Sequence, residues 1–321
     1  FAEQVNSGNA SLNAVLTTDI VVNETVLAAD GSLGADPDTL RMWYPIGVGY
    51  AENIFFKGTF DGQGHTISGL YFSNDSNARD VICAGLFVFS AGIIQNVGLE
   101  DSYFKHHNAS VGICAINYGQ IVNCYNAGTI LGYGARYGAS GICVQNSDNG
   151  SIENCYNTGV IRGSWLVAGI CNLNVGSMKD CYNNSDITVM TDSTIIDEND
   201  EKNYASGICN INDSSNDSSG RIENCYHVGQ VSGADVNNNI CNFNAGQIEN
   251  SYYDCNICDK DAITQNESSA VVKNVESKTT KQFASGEVTY LLNGDQSVRA
   301  FYQNLTKEKY PTLNQKSKVV M

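Results

Sequence analysis

The chain has 321 residues, 42% hydrophobic and 16% charged, with 31 glycines against 3 prolines, which suffices for one elongated domain. Its formal charge of −16 would repel a phosphate backbone, which argues against nucleic-acid binding and suits a solvated extracellular protein. No run of about twenty apolar residues is present, so membrane insertion is not expected.

In chain order, residues 1–8 (FAEQVNSG) read as a short helix stopped at Gly8, and Ala14 to Val22 as strand material. A helix over the first coil would close an exposed β edge. The chain starts at Phe1 without a start Met, so a leader or wall anchor is expected to lie outside it. After the loop from Asp30 to Pro37 comes Gly58 to Leu70, GTFDGQGHTISGL. Asp61 and His65 have the residue types of an acid/base pair, but their D-G-x-G-H frame is that of a sharp corner entering a strand.

From Gly85 the chain repeats itself. Gly112-Ile113-Cys114 returns as Gly141-Ile142-Cys143, Gly169-Ile170-Cys171, Gly207-Ile208-Cys209 and a decayed Asn239-Ile240-Cys241. A second anchor, Asn123-Cys124-Tyr125, returns at Asn154, Asp180, Asn224 and Asn250, with a degenerate copy at Asn96. The minimal period is about 26 residues. A unit that short, built of β-branched runs broken by Gly and Asn, cannot bury its own apolar face and must stack on its neighbours. Three strands per coil, near Gly112 to Ile116, Ile121 to Tyr125 and Gly128 to Leu131, close into an all-β, single-stranded parallel β-helix with coils about 4.8 Å apart.

Equivalent positions then form ladders. Asn at the corner tolerates left-handed backbone, and stacked amides satisfy one another. The next position reads Val97, Cys124, Cys155, Cys181, Cys225, Ser251, which is packing with thiol as a small hydrophobe. The following one reads Tyr125, Tyr156, Tyr182, Tyr226, Tyr252, a row that is either a platform for sugar rings or a structural stack under a loop or neighbouring domain. An outward row before the corner reads Glu153, Lys179, Glu223, Glu249, leaving Glu223 beside Glu249 as a like pair.

Nine of the 12 cysteines fall on two repeat positions, where in-register side chains point the same way, so buried thiols are expected. Cys255 and Cys258 stand outside the ladders and are expected to form a local disulfide, since no second pair completes a zinc site. Between Cys181 and Cys209 the spacing is 28, against 16 between Cys155 and Cys171, so an acidic loop bulges out with Asp192, Asp197, Glu198, Asp200 and Glu201. It is either a solvated loop or a weak Ca²⁺ site, Ca²⁺ being the only cofactor the sequence admits, and it lacks the D-x-D-x-D-G frame. The same coil gains Asn212 to Asp217. Beyond Asp259 the repeat fades, and Thr279 to Asn293 reads as one helix, apolar at Phe283, Val288, Leu291 and Leu292, stopped at Gly294 and capping the last coil.

The segment Phe60 to Leu70 with Ala84-Gly85-Leu86-Phe87, the G-I-x-x-x-N and N-C-Y-N-x-G units, Ser285 to Gly294 and Tyr310 to Leu313 together resemble the GLUG-motif repeat proteins of gut bacterial surfaces. Repeats of that kind also precede IgA-specific metallopeptidase domains. The resemblance implies a right-handed coil, short helical caps at both ends, and a place outside the cell or on its wall. It implies no protease here, because the four histidines (His65, His106, His107, His227) form no H-E-x-x-H.

The expected organisation is one module: an N-terminal cap and first coil (1–58), β-helix repeats (59–258) and a C-terminal cap (259–321), monomeric within a longer chain. Three functions stay open. The first is a non-catalytic adhesion or glycan-binding module whose contacts are Tyr125, Tyr156, Tyr182, Tyr226, Tyr252, Asp197 and Asp200, and whose partner is a host or dietary glycan or a host surface protein. The second is a β-helix glycoside hydrolase or polysaccharide lyase using Glu223, Glu249 or Asp61. The third is a spacer.

Overall fold

The structure is a computed structural model that describes residues 1–48, 55–74, 81–133, 138–190, 202–215 and 218–313. The acidic-loop candidates Asp192, Asp197, Glu198, Asp200 and Glu201 lie outside the described residues.

The repeat folds as a right-handed parallel β-helix with short helices at both ends. One coil runs Ala109–Val111, Cys114–Asn117, Gln120–Val122, Tyr125–Asn126, Thr129–Gly132. The three expected runs are all there, and a further strand that was not expected, Ala109–Val111, precedes the first of them. The chain bends between the two at Gly112, where an added Cβ would lie 2.2 Å from the Gly141 carbonyl oxygen of the next coil, so no side chain fits. The run from Ile121 to Tyr125 bends at the Asn corner, where Asn96, Asn123, Asn154, Asp180, Asn224 and Asn250 have φ between 48° and 55°. Asn274 extends this corner by one more coil at φ 53°.

Register is strict. Cys114 pairs with Cys143, Cys143 with Cys171, Cys171 with Cys209 and Cys209 with Cys241. In the second column the Cys124 amide donates to Cys155 Sγ at 3.4 Å. All nine of these thiols are free and fully buried. They share the core with Ile94, Ile121, Ile152, Met178, Ile222 and Ile248.

Two further Asn ladders run inside the wall. Asn117, Asn146, Asn174, Asn212 and Asn244 are each fully buried, and each amide donates 2.8 to 3.0 Å to the next ladder member, ending on Asn266. Asn126 donates to Asn157, and Asn157 to Asn183, both at 2.8 Å. In dry surroundings each bond also spares the amide its desolvation cost, so these ladders fix register as well as stability.

The two ends differ. Helix α1 (Ala2–Asn6) closes the first coils through the buried Val5, with Phe1 packed 5.9 Å from Phe56 and 5.7 Å from Phe60. At the other end the single expected helix is two, α2 (Thr280–Ala284) and α3 (Glu287–Asn293), because Gly286 at φ 87° turns the chain between them. Their apolar residues do not cross the last coil. Phe283, Val288 and Leu292 pack with Phe301 against Tyr182, Tyr226 and Tyr252 on the flank of the rod.

The expected disulfide is absent. Cys255 and Cys258 are free, because the turn on the Asp254 carbonyl sends Cys258 into the core and leaves Cys255 at the half-buried edge. In the expected insertion Asn212 to Asp217, Ser214–Ser215 pairs antiparallel with Ser218–Ser219, and Asn216 and Asp217 lie outside the described residues.

Candidate binding groove

The Tyr row is a continuous stack. Ring centroids are 4.9 Å apart from Tyr125 to Tyr156, 4.8 Å from Tyr156 to Tyr182 and 4.9 Å from Tyr182 to Tyr226, with interplanar angles of 6°, 2° and 8°. Parallel register sets this spacing, since Tyr125 pairs with Tyr156, Tyr156 with Tyr182 and Tyr182 with Tyr226.

The C-terminal segment divides the row. Tyr226 is fully buried and its hydroxyl donates to the Pro311 carbonyl; Tyr182 and Tyr252 are buried too. The expected five-ring platform is therefore shortened: Tyr226, beneath Phe283 and Phe301, and Tyr252 offer no surface to a ligand, and Tyr182 only borders the groove with its edge. Tyr125 and Tyr156 emerge, half-buried, from the edge of this cover. Burial still pushes the Tyr156 phenol up to about 12 and raises Tyr125, whose hydroxyl donates to Glu100 Oε1 at 2.6 Å.

The stack stops at Tyr125 because its partner in the preceding coil is Gly98. The Tyr125 ring leans onto that glycine, and an added Cβ there would lie 2.1 Å from the ring. An opening of about 400 Å³ remains on this side, lined by Gln63, Gly64, Asn96, Val97, Gly98, Asn123 and Tyr125. It shares Gly64, Asn123 and Tyr125 with a groove of about 830 Å³ that continues past Asn154, Tyr156, Glu153, Lys179 and Asp180. The groove's far wall is Gln296 to Ala300 with Thr312 and Leu313. An aromatic head, a file of corner amides and charges of both signs thus border one trough.

Asp180 is the one carboxylate in the corner ladder. It accepts from Asn224 Nδ2 at 3.0 Å and from Gln296 Nε2 at 3.3 Å, with Lys179 Nζ 4.0 Å away. Burial raises its pKa, and the amides and Lys179 oppose that.

The catalytic candidates are elsewhere. Glu223 and Glu249 pair in register but do not border the groove, and the row reads Lys179, Glu223, Glu249, Lys273, so a lysine stands on each side of the like pair. Asp61 and His65 do not pair with each other. Asp61 takes hydrogen bonds from Asn96 Nδ2 and from the Gln63 amide, both at 2.9 Å, which hold its carboxyl down at about 2. His65 Nδ1 is 3.1 Å from Asp19 Oδ1. Asp61 thus accepts the end of the Asn ladder from outside the corner position, in the row of Gln95.

Sequence reasoning missed Gly98, the Gln296 to Ala300 wall and the inner Asn ladders. Gly98 was legible as the gap in the Tyr row, and the inner ladder as an Asn three residues after each of Cys114, Cys143, Cys171, Cys209 and Cys241. Among the described residues no three His, Cys, Asp or Glu side chains converge as metal ligands. Nor is any helix of the described residues long and apolar enough to cross a membrane.

No protein family's sequence profile matches the chain. It is 31% identical over 147 residues to halomucin of Haloquadratum walsbyi, a match over 44% of this chain and 2% of that protein. The chain thus spans a small fraction of that relative. Its fold is shared with the crystal structure of a candidate immunoglobulin A1 protease from Bacteroides ovatus, at a TM-score of 0.56 and 17% identity over 99% of this chain and 91% of the other.

Proposed function

We propose that this chain is a non-catalytic extracellular module that binds a carbohydrate chain in the groove running from Gly98 to Lys179. The observation that carries the reading is the opening beside Tyr125: the stack ends where the Tyr125 ring leans onto Gly98, and the opening of about 400 Å³ beyond it is of a size to take a sugar ring against the aromatic face. Asn123, Asn154, Glu153 and Lys179 then offer donors and acceptors along the next two coils, at the repeat of the coil itself. The extracellular setting is supported by the resemblance to GLUG-motif repeats and by the names of the two similar proteins, halomucin and a candidate immunoglobulin A1 protease. A host or dietary glycan is the partner such a trough suits.

The test is a glycan array with the whole chain, followed by calorimetry on each hit with Tyr125→Ala. Loss of one aromatic contact should weaken binding roughly tenfold or more. No retained glycan, or an affinity untouched by Tyr125→Ala, overturns the reading.

One observation favours glycoside cleavage as a second reading: Asp180 is a buried carboxyl of raised pKa that borders the groove with Glu153 in the preceding coil. Asp180→Asn restores the usual ladder residue, so the variant should fold. Release of reducing ends from a bound glycan, abolished by Asp180→Asn with binding kept, would replace the non-catalytic reading.

A further inference from the structure

The apolar column that α1 closes at one end is open at the other. The last coil consists of Ile263–Asn266 and the terminal strand Val271–Lys278, and among the described residues no strand pairs with the outer edge of either. Val272 occupies the position that Ile94, Ile121, Ile152, Met178, Ile222 and Ile248 fill at 0–1% exposure, yet it is 44% exposed. Val275 and Ile263, at the ends of the two thiol columns, are only half-buried. A core cross-section and eight residues of free strand edge therefore face solvent together. Among the described residues Thr279 to Leu313 adds no further coil, because it turns back along the flank.

We propose that this end is a dimer interface, in which the terminal strand pairs antiparallel with the same strand of a second copy. A head-to-tail union is closed off by α1, which leaves tail to tail, the isologous arrangement with one two-fold axis. The strand's own residues fit that arrangement. With the axis between Asn274 and Val275, Lys273 stands opposite the second copy's Glu276, and Glu276 opposite its Lys273. Both residues belong to outward rows, those of Glu249 and Tyr252. In the same register Val272 lies opposite Ser277, whose row continues the buried Asn183 and His227, so inward positions meet inward positions. A lysine on a free edge ordinarily discourages pairing. Here each is matched by a glutamate in this register, which aligns the faces on both arms of the strand and sets an outward residue against an inward one only at the central Asn274–Val275 pair, and Lys278, which also holds Glu276 at 3.0 Å, keeps Glu287 at 3.4 Å when Glu276 is shared. The union buries Val272 and Val275 and gives the edge amides and carbonyls partners. The dimer replaces the monomer expected from sequence, and it is independent of the groove.

Sedimentation equilibrium or light scattering on the full chain tests it. The expected result is a concentration-dependent dimer that Lys273→Glu weakens at least about tenfold, by setting glutamate against glutamate twice. The double variant Lys273→Glu/Glu276→Lys restores opposite charges and should recover dimerisation. Val272→Lys, a change at an exposed side chain that the fold tolerates, should give monomer. The proposal is overturned by a monomer at every concentration, or by a dimer indifferent to Lys273→Glu and Val272→Lys. It is equally overturned by a monomeric full chain that dimerises once cut after Leu313, which would show that residues 314–321 cover the edge.

Discussion

Tyr125 and Tyr226 hold the same place in the same repeat, in stacks of equal spacing, and live in different surroundings. Tyr226 is fully buried between α2, Phe301 and the Pro311 carbonyl, whereas Tyr125 is half-buried beside an opening. The repeat lays down an aromatic row without assigning it a role. The non-repeating segment from Thr279 to Leu313 does so, by turning three rings into core and leaving two as surface. The largest effect that probes this difference is on stability. Tyr226→Ala should cost about 3–5 kcal/mol, the usual price of deleting a buried aromatic. Tyr125→Ala should cost under about 1 kcal/mol. Urea unfolding of both variants measures the gap, and equal losses would mean that the cover contributes little.

The inner Asn ladder sharpens the same comparison. Asn126 and Asn157 line it behind the open rings, and behind Tyr226 it reads His227, whose Nδ1 lies 3.1 Å from Asn183 Nδ2. Burial lowers the His227 pKa to about 4 from an ordinary 6.5, outweighing its backbone hydrogen bonds. A base with a depressed folded pKa binds fewer protons folded than unfolded between those values. Its stability contribution is therefore intact above about pH 6.5 and lost as pH falls toward 4. The loss expected from His227 is about 3 kcal/mol by that pH. His106, buried in an earlier coil with its pKa also lowered to about 4, adds its own share. His227→Asn, which continues the amide ladder, should remove the His227 part of the acid slope and leave that of His106. Urea unfolding at pH 7 and pH 4 reads both, and an unchanged slope would mean that the imidazole is charged inside the wall.

The sequence exposed the coil and its columns because stacking is periodic. An Asn, a Cys and a Tyr spaced by about 26 residues can only be neighbours in a solenoid, and the left-handed corner followed from Asn itself. What stayed hidden was aperiodic. Nothing in Phe283, Val288 or Leu292 distinguishes packing across the last coil from packing on the Tyr row, since both surfaces are apolar and near. Gly286 was needed as the hinge that sends α3 along the flank. Cys255 and Cys258 misled for a related reason: their spacing permits a bridge, and the turn at Asp254 carries one of them inward. The groove was half legible. Its aromatic head lies on the repeat, but its wall from Gln296 to Ala300 is unlike anything else in the chain.

The thiol column supplies the converse test, where the covered and open halves should not differ. Cys155 lies behind an open ring and Cys225 behind a covered one, and both are fully buried in one apolar core. Each Sγ meets the carbonyl two residues earlier, Glu153 at 3.2 Å and Glu223 at 3.3 Å, as Ser251 Oγ meets Glu249 at 3.0 Å. The position also accepts Val97 at 1% exposure, so neither the thiol nor its weak hydrogen bond is indispensable. Cys155→Val and Cys225→Val are near volume-conserving and should each cost less than about 1.5 kcal/mol, by similar amounts. Urea unfolding of the pair checks this. A much larger loss at Cys225 than at Cys155 would mean that the C-terminal segment alters the packing inside the coil as well as the exposure outside it.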